Sequence, residues 1–467
     1  MGSSSIKDST DFFSCQLVAI PYPGRGHINQ LMNFCKLITK KRSDFLIHFV
    51  VTEEWLGFLA SEPDPGQSIR FATIPNVIPS EKVRAKEFQA FFDAIMTKME
   101  GPFEYLLNQL DPPKPRAIIY DSFLKWVLGV ANRRFIPAAS FWPMSATFFT
   151  VLYHFQSLVQ NGQLPANPLE NGEHRINCIP GIPSIRVADF PRELLEGKLK
   201  RVIEESHEFV SFAAKADYLL LTSVYEMESQ AIKNLKKELP CPVYPIGLSI
   251  PPLDIINGHS KDSNNNHQFS WLDAQPEASV LYISQGSFLS ASEEQLNEYI
   301  AGVGDSGIRF FWVARENRER FVEQLNGGGG DPPYNGLVVD WCDQLRVLSH
   351  PSICGFWSHC GWNSAKEAAF SGLPVLASPI AWDQNTNSKQ IVEDWGIGWR
   401  LKESNDGRLV GRGEISRILK RFMDSESEEV EEMRRRAHEI GDICGRADSE
   451  CGSSDREIEA FIENVSK

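Results

Sequence analysis

The chain has 467 residues, of which 42% are hydrophobic and 23% are charged, and its formal net charge is −14 at pH 7. This composition is typical of an ordinary globular protein with about two or three domains. The negative charge argues against nucleic acid or an anionic membrane surface as a partner, since both attract basic proteins. The nine cysteines are scattered without a framework spacing, which predicts reduced thiols in a cytoplasmic protein.

Two stretches bear on membrane association. The first 14 residues carry no apolar run, so a secretory signal is not expected there. Residues 135–153 lack any charge but contain Pro137 and Pro143 together with several hydroxyl side chains. This pattern predicts a buried strand followed by a helix, and no insertion into a membrane.

The first half of the chain alternates apolar runs of strand length with helical patterns. Such alternation predicts βαβ units, and therefore a parallel sheet with helices on both faces. The strands are predicted at residues 17–21, 45–51, 69–74, 117–120, 136–140 and 218–222.

The loop after the first predicted strand supports two different hypotheses. It contains Gly24-x-Gly26-x-x-Asn29, one residue short of the dinucleotide fingerprint, and Glu53 lies near the place of an acidic ribose partner. An NAD(P)-dependent oxidoreductase that uses the Gly24/Gly26 loop is one hypothesis. The other starts from His27, since an imidazole at the mouth of a strand–loop–helix turn faces the cleft. The helix N-terminus favours its neutral form, as a general base requires.

A polar segment rich in Pro and Asn, residues 250–266, divides the chain. Its composition predicts a solvated linker between an N-terminal domain of residues 1–249 and a C-terminal domain of residues 267–467. The charged and periodic end of the chain predicts helices. We expect the last of these to pack back on the N-terminal domain.

The second half repeats the alternation of strands and helices. Both halves together predict an α/β fold of two Rossmann-like domains, with ligands bound at the carboxyl ends of the strands in the cleft between them. The strands are predicted at residues 280–284, 309–313, 336–339, 353–357, 375–377 and 398–399.

The most informative segment lies between residues 341 and 384. Its strand at 353–357 is followed by a turn of small residues and by a helix predicted to begin near Asn363. A helix that opens in this way presents unpaired backbone N–H groups and a positive dipole end to a phosphate. Glu367, one turn further on, can accept from a ribose diol, and Trp341 offers a flat face to a base. The segment therefore predicts a nucleotide-sugar site.

The order and spacing of this segment closely resemble the nucleotide-sugar box of plant family-1 UDP-glycosyltransferases, which runs W-x-x-Q, H, H-C-G-W-N-S, E, G-x-P, P and D/E-Q. The resemblance covers the box without a gap, and the flanking chain fits such a protein over nearly its full length. It implies the GT-B fold, two facing Rossmann-like domains with parallel sheets. Two positions depart from the family pattern: Cys342-Asp343 replace a pair such as Ala-Pro, and Gln285 replaces Phe.

The resemblance implies a role for each matching residue of a UDP-sugar site. The start of the helix and the loops beside it would bind the diphosphate. They would take the role that a divalent metal ion has in other enzymes. The matching residues are Trp341 for stacking on uracil, Cys342 and Gln344 for the base and ribose, Ser287, His359, Gly361, Asn363 and Ser364 for the diphosphate, Glu367 for the ribose, and Trp362, Asp383 and Gln384 for the hexose.

A catalytic pair is implied as well. In the family, a His after the first strand and an Asp after a later strand form a dyad, and the matching residues here are His27 and Asp121. Asp121 closes a strand expected to neighbour the first one. His27 would remove the proton from an acceptor hydroxyl as its oxygen attacks the anomeric carbon, while Asp121 compensates the imidazolium. A single displacement of this kind inverts the anomeric configuration.

Abundant aromatic residues in the first half predict an apolar acceptor pocket, and its candidate residues are Phe92, Phe123, Phe141 and Trp142. The family implies a flavonoid, phenolic, terpenoid or hormone acceptor of plant secondary metabolism, glycosylated on a hydroxyl or a carboxyl. Gln384 implies glucose as the donor sugar.

UDP-glucose is thus the expected co-substrate of a monomer that has no nucleic-acid partner. No cofactor and no metal are expected, because neither an Asp-x-Asp pair nor zinc-ligand spacing accompanies the box. A UDP-sugar-binding protein without catalysis is a third hypothesis. The joint presence of His27 and Asp121 distinguishes an enzyme from such a protein.

Overall fold

The computed structural model describes residues 13–60, 64–84, 86–196, 200–250, 263–286, 291–326, 334–401 and 409–467. Among these residues, no helix combines the length and the apolar character needed to cross a bilayer.

Seven parallel strands form the sheet of the N-terminal half, in the order β3-β2-β1-β4-β5-β8-β9, and β6 and β7 pair separately as a short antiparallel hairpin. The strands are β1 (Cys15–Ile20), β2 (Phe45–Thr52), β3 (Ile69–Ile74), β4 (Ala117–Asp121), β5 (Ala138–Trp142), β6 (Arg175–Ile176), β7 (Ile185–Arg186), β8 (Tyr218–Leu221) and β9 (Val243–Pro245).

Helices connect these strands and cover the sheet on both faces, as the alternation predicts. Two of them begin at side-chain caps, because Thr52 and Ser145 each accept from a backbone N–H three residues on. The helices are α1 (Arg25–Lys41), α2 (Glu53–Leu59), α3 (Phe88–Lys98), α4 (Glu100–Gln109), α5 (Trp126–Arg134), α6 (Ala146–Gln160), α7 (Arg192–Leu195), α8 (Lys200–Ala213) and α9 (Ser229–Glu238).

Six parallel strands form the second sheet, in the order β12-β11-β10-β13-β14-β15. The strands are β10 (Val280–Ser284), β11 (Arg309–Val313), β12 (Gly336–Val339), β13 (Ile353–Ser358), β14 (Val375–Ala377) and β15 (Gly398–Arg400). The helices of this half are α10 (Ser263–Asp273), α11 (Glu293–Ser306), α12 (Arg318–Leu325), α13 (Gln344–Leu348), α14 (Trp362–Phe370), α15 (Gln384–Lys389), α16 (Arg412–Phe422), α17 (Glu428–Asp448) and α18 (Ser453–Ser466).

The prediction of two Rossmann-like domains is confirmed, and the predicted strands agree with the observed ones to within about two residues at each end. The three-residue strand β9 was missed because it is too short to show a period and contains Pro245. The predicted linker lies largely outside the described residues. Its last residues, from Ser263 on, begin α10 instead of a solvated connection, because this helix buries Phe269 and Leu272 against the second domain.

The last helix, α18, lies against the first sheet, although it follows the second domain in the chain. Its Phe461 is fully buried, with ring centroids 6.0 Å from Phe34, 5.7 Å from Tyr218 and 5.9 Å from Tyr244. The end of the chain therefore completes the core of the N-terminal domain.

Replacing Phe461 by Ala should destabilise the protein by about 3–5 kcal/mol, because the deletion leaves a cavity that the surrounding aromatic rings cannot fill. Urea denaturation would measure the loss. Tyr105→Ala is the matched control, since that ring is 65% exposed and its removal should change stability by less than about 0.5 kcal/mol. Equal midpoints for the two variants would contradict the packing of α18 on the first sheet.

Candidate active site

A hydrogen-bonded histidine–carboxylate pair lies at the carboxyl edge of the first sheet. Asp121 is the last residue of β4 and is fully buried, and the register that pairs Ile20 with Tyr120 brings the end of β1 beside it. His27, in the first turn of α1, places its Nδ1 atom 2.7 Å from Asp121 Oδ2. The other carboxylate oxygen accepts from the backbone N–H of Phe123 at 3.0 Å. The two predicted catalytic residues are therefore in contact.

Aromatic rings surround this pair. The His27 ring centroid lies 5.0 Å from that of Tyr22 and 5.5 Å from that of Phe123. Phe123 packs on Phe209 at 4.6 Å, and Phe209 contacts Phe92 at 6.1 Å. Two of the predicted acceptor residues, Phe92 and Phe123, thus belong to one aromatic cluster with His27. Tyr22 and Phe209 had not been singled out, because a loop position and a helical period do not reveal which ring faces the cleft.

Phe141 and Trp142 were predicted to bind the acceptor, but both belong to the hydrophobic core, and Trp142 contacts the cluster from within the core, with its ring centroid 6.0 Å from that of Phe123. Both are fully buried. Phe141 packs against Phe34 of α1 at 5.9 Å, and the Trp142 indole donates to the carbonyl of Ser145 at 3.0 Å. The reason is the position of β5 inside the parallel sheet, where helices cover both faces of the strand.

A histidine ring fills the space between two glycines at the end of the second sheet. A Cβ atom on Gly286 or Gly361 would lie 2.4 or 2.5 Å from His359 Nε2, so both positions require glycine. The Nδ1 atom of His359 is buried and has no hydrogen-bond partner in the part of the chain that the structure describes. Burial, and after it the charge of Arg315, lowers the pKa of His359 to about 4. The ring is therefore neutral at pH 7 and carries a single N–H, and its hydrogen bond with the Ser284 backbone opposes the lowering of the pKa.

The helix α14 begins beside this ring. Gly361 occupies its N-cap and supplies no side-chain cap, so the first backbone N–H groups lack an intrahelical partner and lie at the positive end of the helix dipole. This is the predicted anion-binding turn. Ser364 follows within the first turn and is buried. Ser287, the other predicted diphosphate residue, lies outside the described residues.

Of the residues predicted to bind the base, Trp341 has an exposed ring and Cys342 is buried. The Trp341 side chain is 58% exposed, while its carbonyl accepts from Gln268 Nε2 at 2.9 Å. The next residue, Cys342, is buried, and its thiol lies 3.4 Å from the hydroxyl of Tyr282. The ring of Trp341 is thus accessible to a planar ligand, and its backbone is held in place.

The side chain of Gln344 contacts other protein residues, which corrects its predicted direct role at the base and ribose. Its Oε1 atom accepts from the Tyr282 hydroxyl at 3.1 Å. Its Nε2 atom donates to Ser364 Oγ at 3.1 Å and to Glu367 Oε2 at 2.7 Å. Because an amide has only two N–H bonds, both donors of Gln344 are used within the protein, where they orient the carboxylate of Glu367 and the hydroxyl of Ser364.

Burial raises the pKa of two carboxyl groups in the box. The pKa of Glu367 rises to about 6, against the opposing hydrogen bond from Gln344 and the charge of Lys366. The pKa of Asp383 also rises to about 6, mainly through burial and against the hydrogen bond from Asn387. Both carboxyl groups are therefore ionised at neutral pH and become protonated in weakly acidic solution.

Part of the hydrogen-bonding capacity of the Gln384 amide is used by backbone groups of the preceding loop. Its Oε1 atom accepts from the backbone N–H groups of Ile380 at 2.7 Å and Ala381 at 3.1 Å. Both lone pairs of the amide oxygen are therefore used within the protein, and Nε2 is the atom of Gln384 that can contact a hexose. A bound sugar can only receive hydrogen bonds from Gln384, and the adjacent acceptor is the carboxylate of Asp383.

The indole of Trp362, a residue predicted for the hexose, is not available to a sugar. The side chain is 3% exposed, and its Nε1 atom donates to the carbonyl of Thr222 in the first domain at 2.8 Å. The ring also packs on Trp395 at 6.2 Å. Trp362 thus helps to dock the domains, and only its backbone remains for the donor.

The polar segment of residues 383–390 is buried throughout. Its partners lie partly in the other domain: Ser145 Oγ donates to Asn387 Oδ1 at 3.1 Å, and Gln390 Nε2 donates to Glu228 Oε1 at 2.7 Å. Buried polar groups need such partners. The predicted hexose residues at the start of this segment are therefore positioned by contacts with both domains.

The Gly24/Gly26 loop does not provide the open surface that a dinucleotide requires. A Cβ atom on Gly24 would lie 2.2 Å from an Arg84 guanidinium nitrogen, and one on Gly26 would lie 3.2 Å from Asn363 Nδ2. The side chain of Asn363 also donates to the carbonyl of Gly26 at 3.0 Å. The glycines thus allow close approach of protein side chains, where a Rossmann cofactor site would admit the pyrophosphate.

Comparison with known proteins agrees with this geometry. A family model described as UDP-glucoronosyl and UDP-glucosyl transferase matches residues 186–407. UDP-glycosyltransferase 87A1 of Arabidopsis thaliana is 44% identical over 96% of this chain and 100% of that protein. The 7-deoxyloganetin glucosyltransferase of Catharanthus roseus is 30% identical over 95% of this chain and 94% of that protein.

Among solved structures, Phytolacca americana UGT2 complexed with UDP-2fluoro-glucose and pterostilbene is similar, with a TM-score of 0.78. The two chains are 26% identical, and the match covers 97% of this chain and 100% of the Phytolacca chain. Since the sequence relationship extends over nearly the whole chain and the two-sheet architecture agrees, the chain belongs to the plant family-1 UDP-glycosyltransferases and has their GT-B fold.

Proposed function

We propose that this UDP-glycosyltransferase transfers glucose from UDP-glucose to a hydroxyl or carboxyl of a small lipophilic acceptor, with inversion at the anomeric carbon. The observation that supports this most strongly is the His27–Asp121 hydrogen bond of 2.7 Å. His27 directly follows Gly26, whose carbonyl accepts a hydrogen bond from Asn363 at the start of α14. The base and the anion-binding turn therefore face the same cleft.

The acceptor side of the reaction follows from the orientation of His27. Its Nδ1–H donates to the Asp121 carboxylate, which leaves Nε2 as the basic nitrogen. The His27 side chain is 23% exposed, whereas that of Asp121 is 1% exposed, so only His27 can reach an acceptor hydroxyl. Asp121 stabilises the imidazolium as the acceptor oxygen attacks the anomeric carbon and the bond from that carbon to the UDP oxygen breaks.

The leaving UDP would be stabilised by fixed donors, without a metal or another cofactor. The backbone N–H groups at the start of α14 lack intrahelical partners, and the neutral ring of His359 lies beside them. Donors that are positioned before the reaction stabilise developing charge without reorganisation. Trp341 would stack on the uracil, and Glu367, held by Gln344, would accept from the ribose.

The aromatic cluster supports an apolar, planar acceptor. Phe123 and Phe209 lie with their ring planes 31° apart, directly beside His27. The structure of Phytolacca americana UGT2, a relative at 26% identity, is a complex with pterostilbene. A phenolic, flavonoid, terpenoid or hormone acceptor of plant secondary metabolism fits this environment. We further propose that the enzyme acts as a monomer in the cytoplasm, where its nine free thiols would stay reduced.

UDP should raise the thermal midpoint of the protein, because it binds the folded state alone. At a UDP concentration of 100 times Kd, the stabilisation would be about 2.7 kcal/mol. We expect the same shift in EDTA, and no comparable shift with NAD or NADP, in a thermal-shift titration. A shift with NADP and none with UDP would overturn the nucleotide assignment, and a shift lost in EDTA would overturn metal-free binding.

His27→Ala should lower kcat by roughly 10²–10⁴-fold, the usual loss for a general base, while the Kd of UDP stays near its original value. Asp121→Asn should also impair turnover, because the amide can no longer compensate an imidazolium. The matched control is His154→Ala, which removes another histidine–carboxylate contact, 3.2 Å from His154 Nε2 to Glu238 Oε2. Normal turnover in His27→Ala at neutral pH would show that another residue is the base.

Glucose should be preferred over galactose as the donor sugar. Gln384 donates and Asp383 accepts at neighbouring positions, and an axial fourth hydroxyl would leave one of these groups unpaired, at about 1–3 kcal/mol, or roughly 10–100-fold. Competition of UDP-glucose with UDP-galactose would measure this. Gln384→Glu keeps the oxygen that accepts from Ile380 and Ala381 but loses the donor, so it should reduce the preference. Unchanged discrimination would show that Gln384 does not set it.

Affinity for UDP-glucose should fall as the pH falls through about 6. The raised pKa values of Glu367 and Asp383 mean that both groups lose the acceptor capacity of the carboxylate below that pH. Titration calorimetry between pH 5 and pH 8 would measure the change. Glu367→Gln should bind weakly at pH 7.5 and show a smaller pH dependence. An affinity that rises on acidification would contradict the proposed contacts.

A further inference from the structure

Two hydrogen bonds join the first two turns of α1 to the first two turns of α14 across the interdomain cleft. Asn363 Nδ2 donates to the carbonyl of Gly26 at 3.0 Å, and Lys366 Nζ donates to Gln30 Oε1 at 2.6 Å. Within each helix the two bonded residues are about one turn apart, so they lie on the same side of it. The bonds therefore form two successive connections between the helix that carries His27 and the helix that carries Glu367.

Gln30 extends the connection within the first domain. Its Nε2 atom donates to the carbonyl of Pro143 at 2.9 Å, so both ends of the amide are bonded and its orientation is fixed. Gln30 is 4% exposed. A buried amide with both ends paired is rigid, and it can hold the position of Lys366 relative to α1.

Lys366 is a buried amino group that has no partner carboxylate in contact within the described part of the chain. It is 1% exposed, and the described residues provide no carboxylate within 4.0 Å of its ammonium group, which contacts Gln30 instead. Burial lowers the pKa of Lys366 to about 7, against the opposing charges of Glu367 on its own helix and Asp448 at the end of α17. A methionine or leucine here would avoid this desolvation, because replacing a buried charge by an apolar side chain is often neutral or stabilising.

We propose that Lys366 and Gln30 are positioning residues that hold the helix of the base His27 at a fixed distance from the helix of the ribose carboxylate Glu367. His27 lies between Gly26 and Gln30 in the sequence, and Glu367 directly follows Lys366. A nucleotide held by α14 is thereby placed relative to the base on α1. Small displacements of reacting groups reduce rates steeply, by as much as about 100-fold for 1 Å. This role rests on the proposed function.

The test compares turnover with stability in Lys366→Met, Gln30→Met and the double variant. Each single variant should lower kcat about tenfold or more, with the Kd of UDP changed less than about threefold. The thermal midpoint of Lys366→Met at pH 7 should not fall. The double variant should lose no more kcat than either single variant, since both remove the same bond. Additive losses in kcat, or a midpoint that falls while kcat is kept, would overturn the proposal.

Two further variants control this comparison. Gln30→Glu retains an oxygen that accepts from Lys366, so it should keep more kcat than Gln30→Met. Lys41→Met removes a partly buried lysine at the opposite end of α1 from His27, whose ammonium group lies 3.0 Å from Glu459 Oε1 of α18. That variant should keep kcat. If Lys41→Met lowers kcat as much as Lys366→Met, loss of a lysine side chain in general explains both effects and the positioning role is wrong.

The pH dependence of stability gives an additional check. The pKa of Lys366 is lowered in the folded protein, so between about pH 7 and the ordinary lysine value of about 10.4 the unfolded chain binds more protons. Stability contributed by this site therefore rises with pH in that window. Lys366→Met should have a shallower rise than the wild type. An identical slope in the two proteins would contradict the lowered pKa of Lys366 and the burial that causes it.

Hydrogen exchange separates the positioning role from catalysis itself. UDP should slow amide exchange in the first turns of α1 in the wild type, although the nucleotide binds the other domain, and the double variant should lose this effect. If the wild type shows it but transfers no glucose to any acceptor, the proposed function fails and the coupling stands. If glucose is transferred without protection of α1, the coupling fails and the function stands.

Discussion

The active site depends on the close approach of two helix N-termini from different domains. The Asn363 amide donates to the Gly26 carbonyl at 3.0 Å, and the absence of a side chain at Gly26 allows this contact. Both helices direct the positive ends of their dipoles toward one cleft, which favours a diphosphate leaving group. In the proposed mechanism the same field would oppose an imidazolium on His27. The buried carboxylate of Asp121 beside it would supply the compensating charge.

A second constraint is the buried polar segment of residues 383–390. Its side chains are bonded within the second domain and to Ser145 and Glu228 of the first. Neither domain alone can pair these groups, and an unpaired buried polar group costs about 1–3 kcal/mol. The donor-sugar end of the site, at Asp383 and Gln384, is therefore complete only when the two domains are docked.

Much of this arrangement follows from the sequence, because apolar runs and turns determine which strand ends meet. The alternation predicted both sheets, and the adjacency of β1 and β4 brought His27 to Asp121 as expected. Whether an individual side chain points to the core or to the cleft could not be predicted in the same way. Phe141 lies in a strand covered on both faces, where no alternation distinguishes core from cleft. The pairing of Lys366 with Gln30 joins residues 336 positions apart, which no local pattern encodes.

The polar atoms that remain unpaired describe the ligand that the site requires. Gln344 already holds Ser364 and Glu367 in place, so part of the site is organised before a nucleotide binds. Within the described residues, His359 Nδ1, Gln285 Nε2 and Asn363 Oδ1 are buried without partners. Gln285 Nε2 can donate and Asn363 Oδ1 can only accept, whereas His359 Nδ1 donates or accepts according to the tautomer of the ring. In the proposed function a diphosphate would supply acceptors for the donors, and a hydroxyl of the ribose or of the sugar would supply the donor for Asn363. One UDP-sugar can therefore satisfy groups of both kinds.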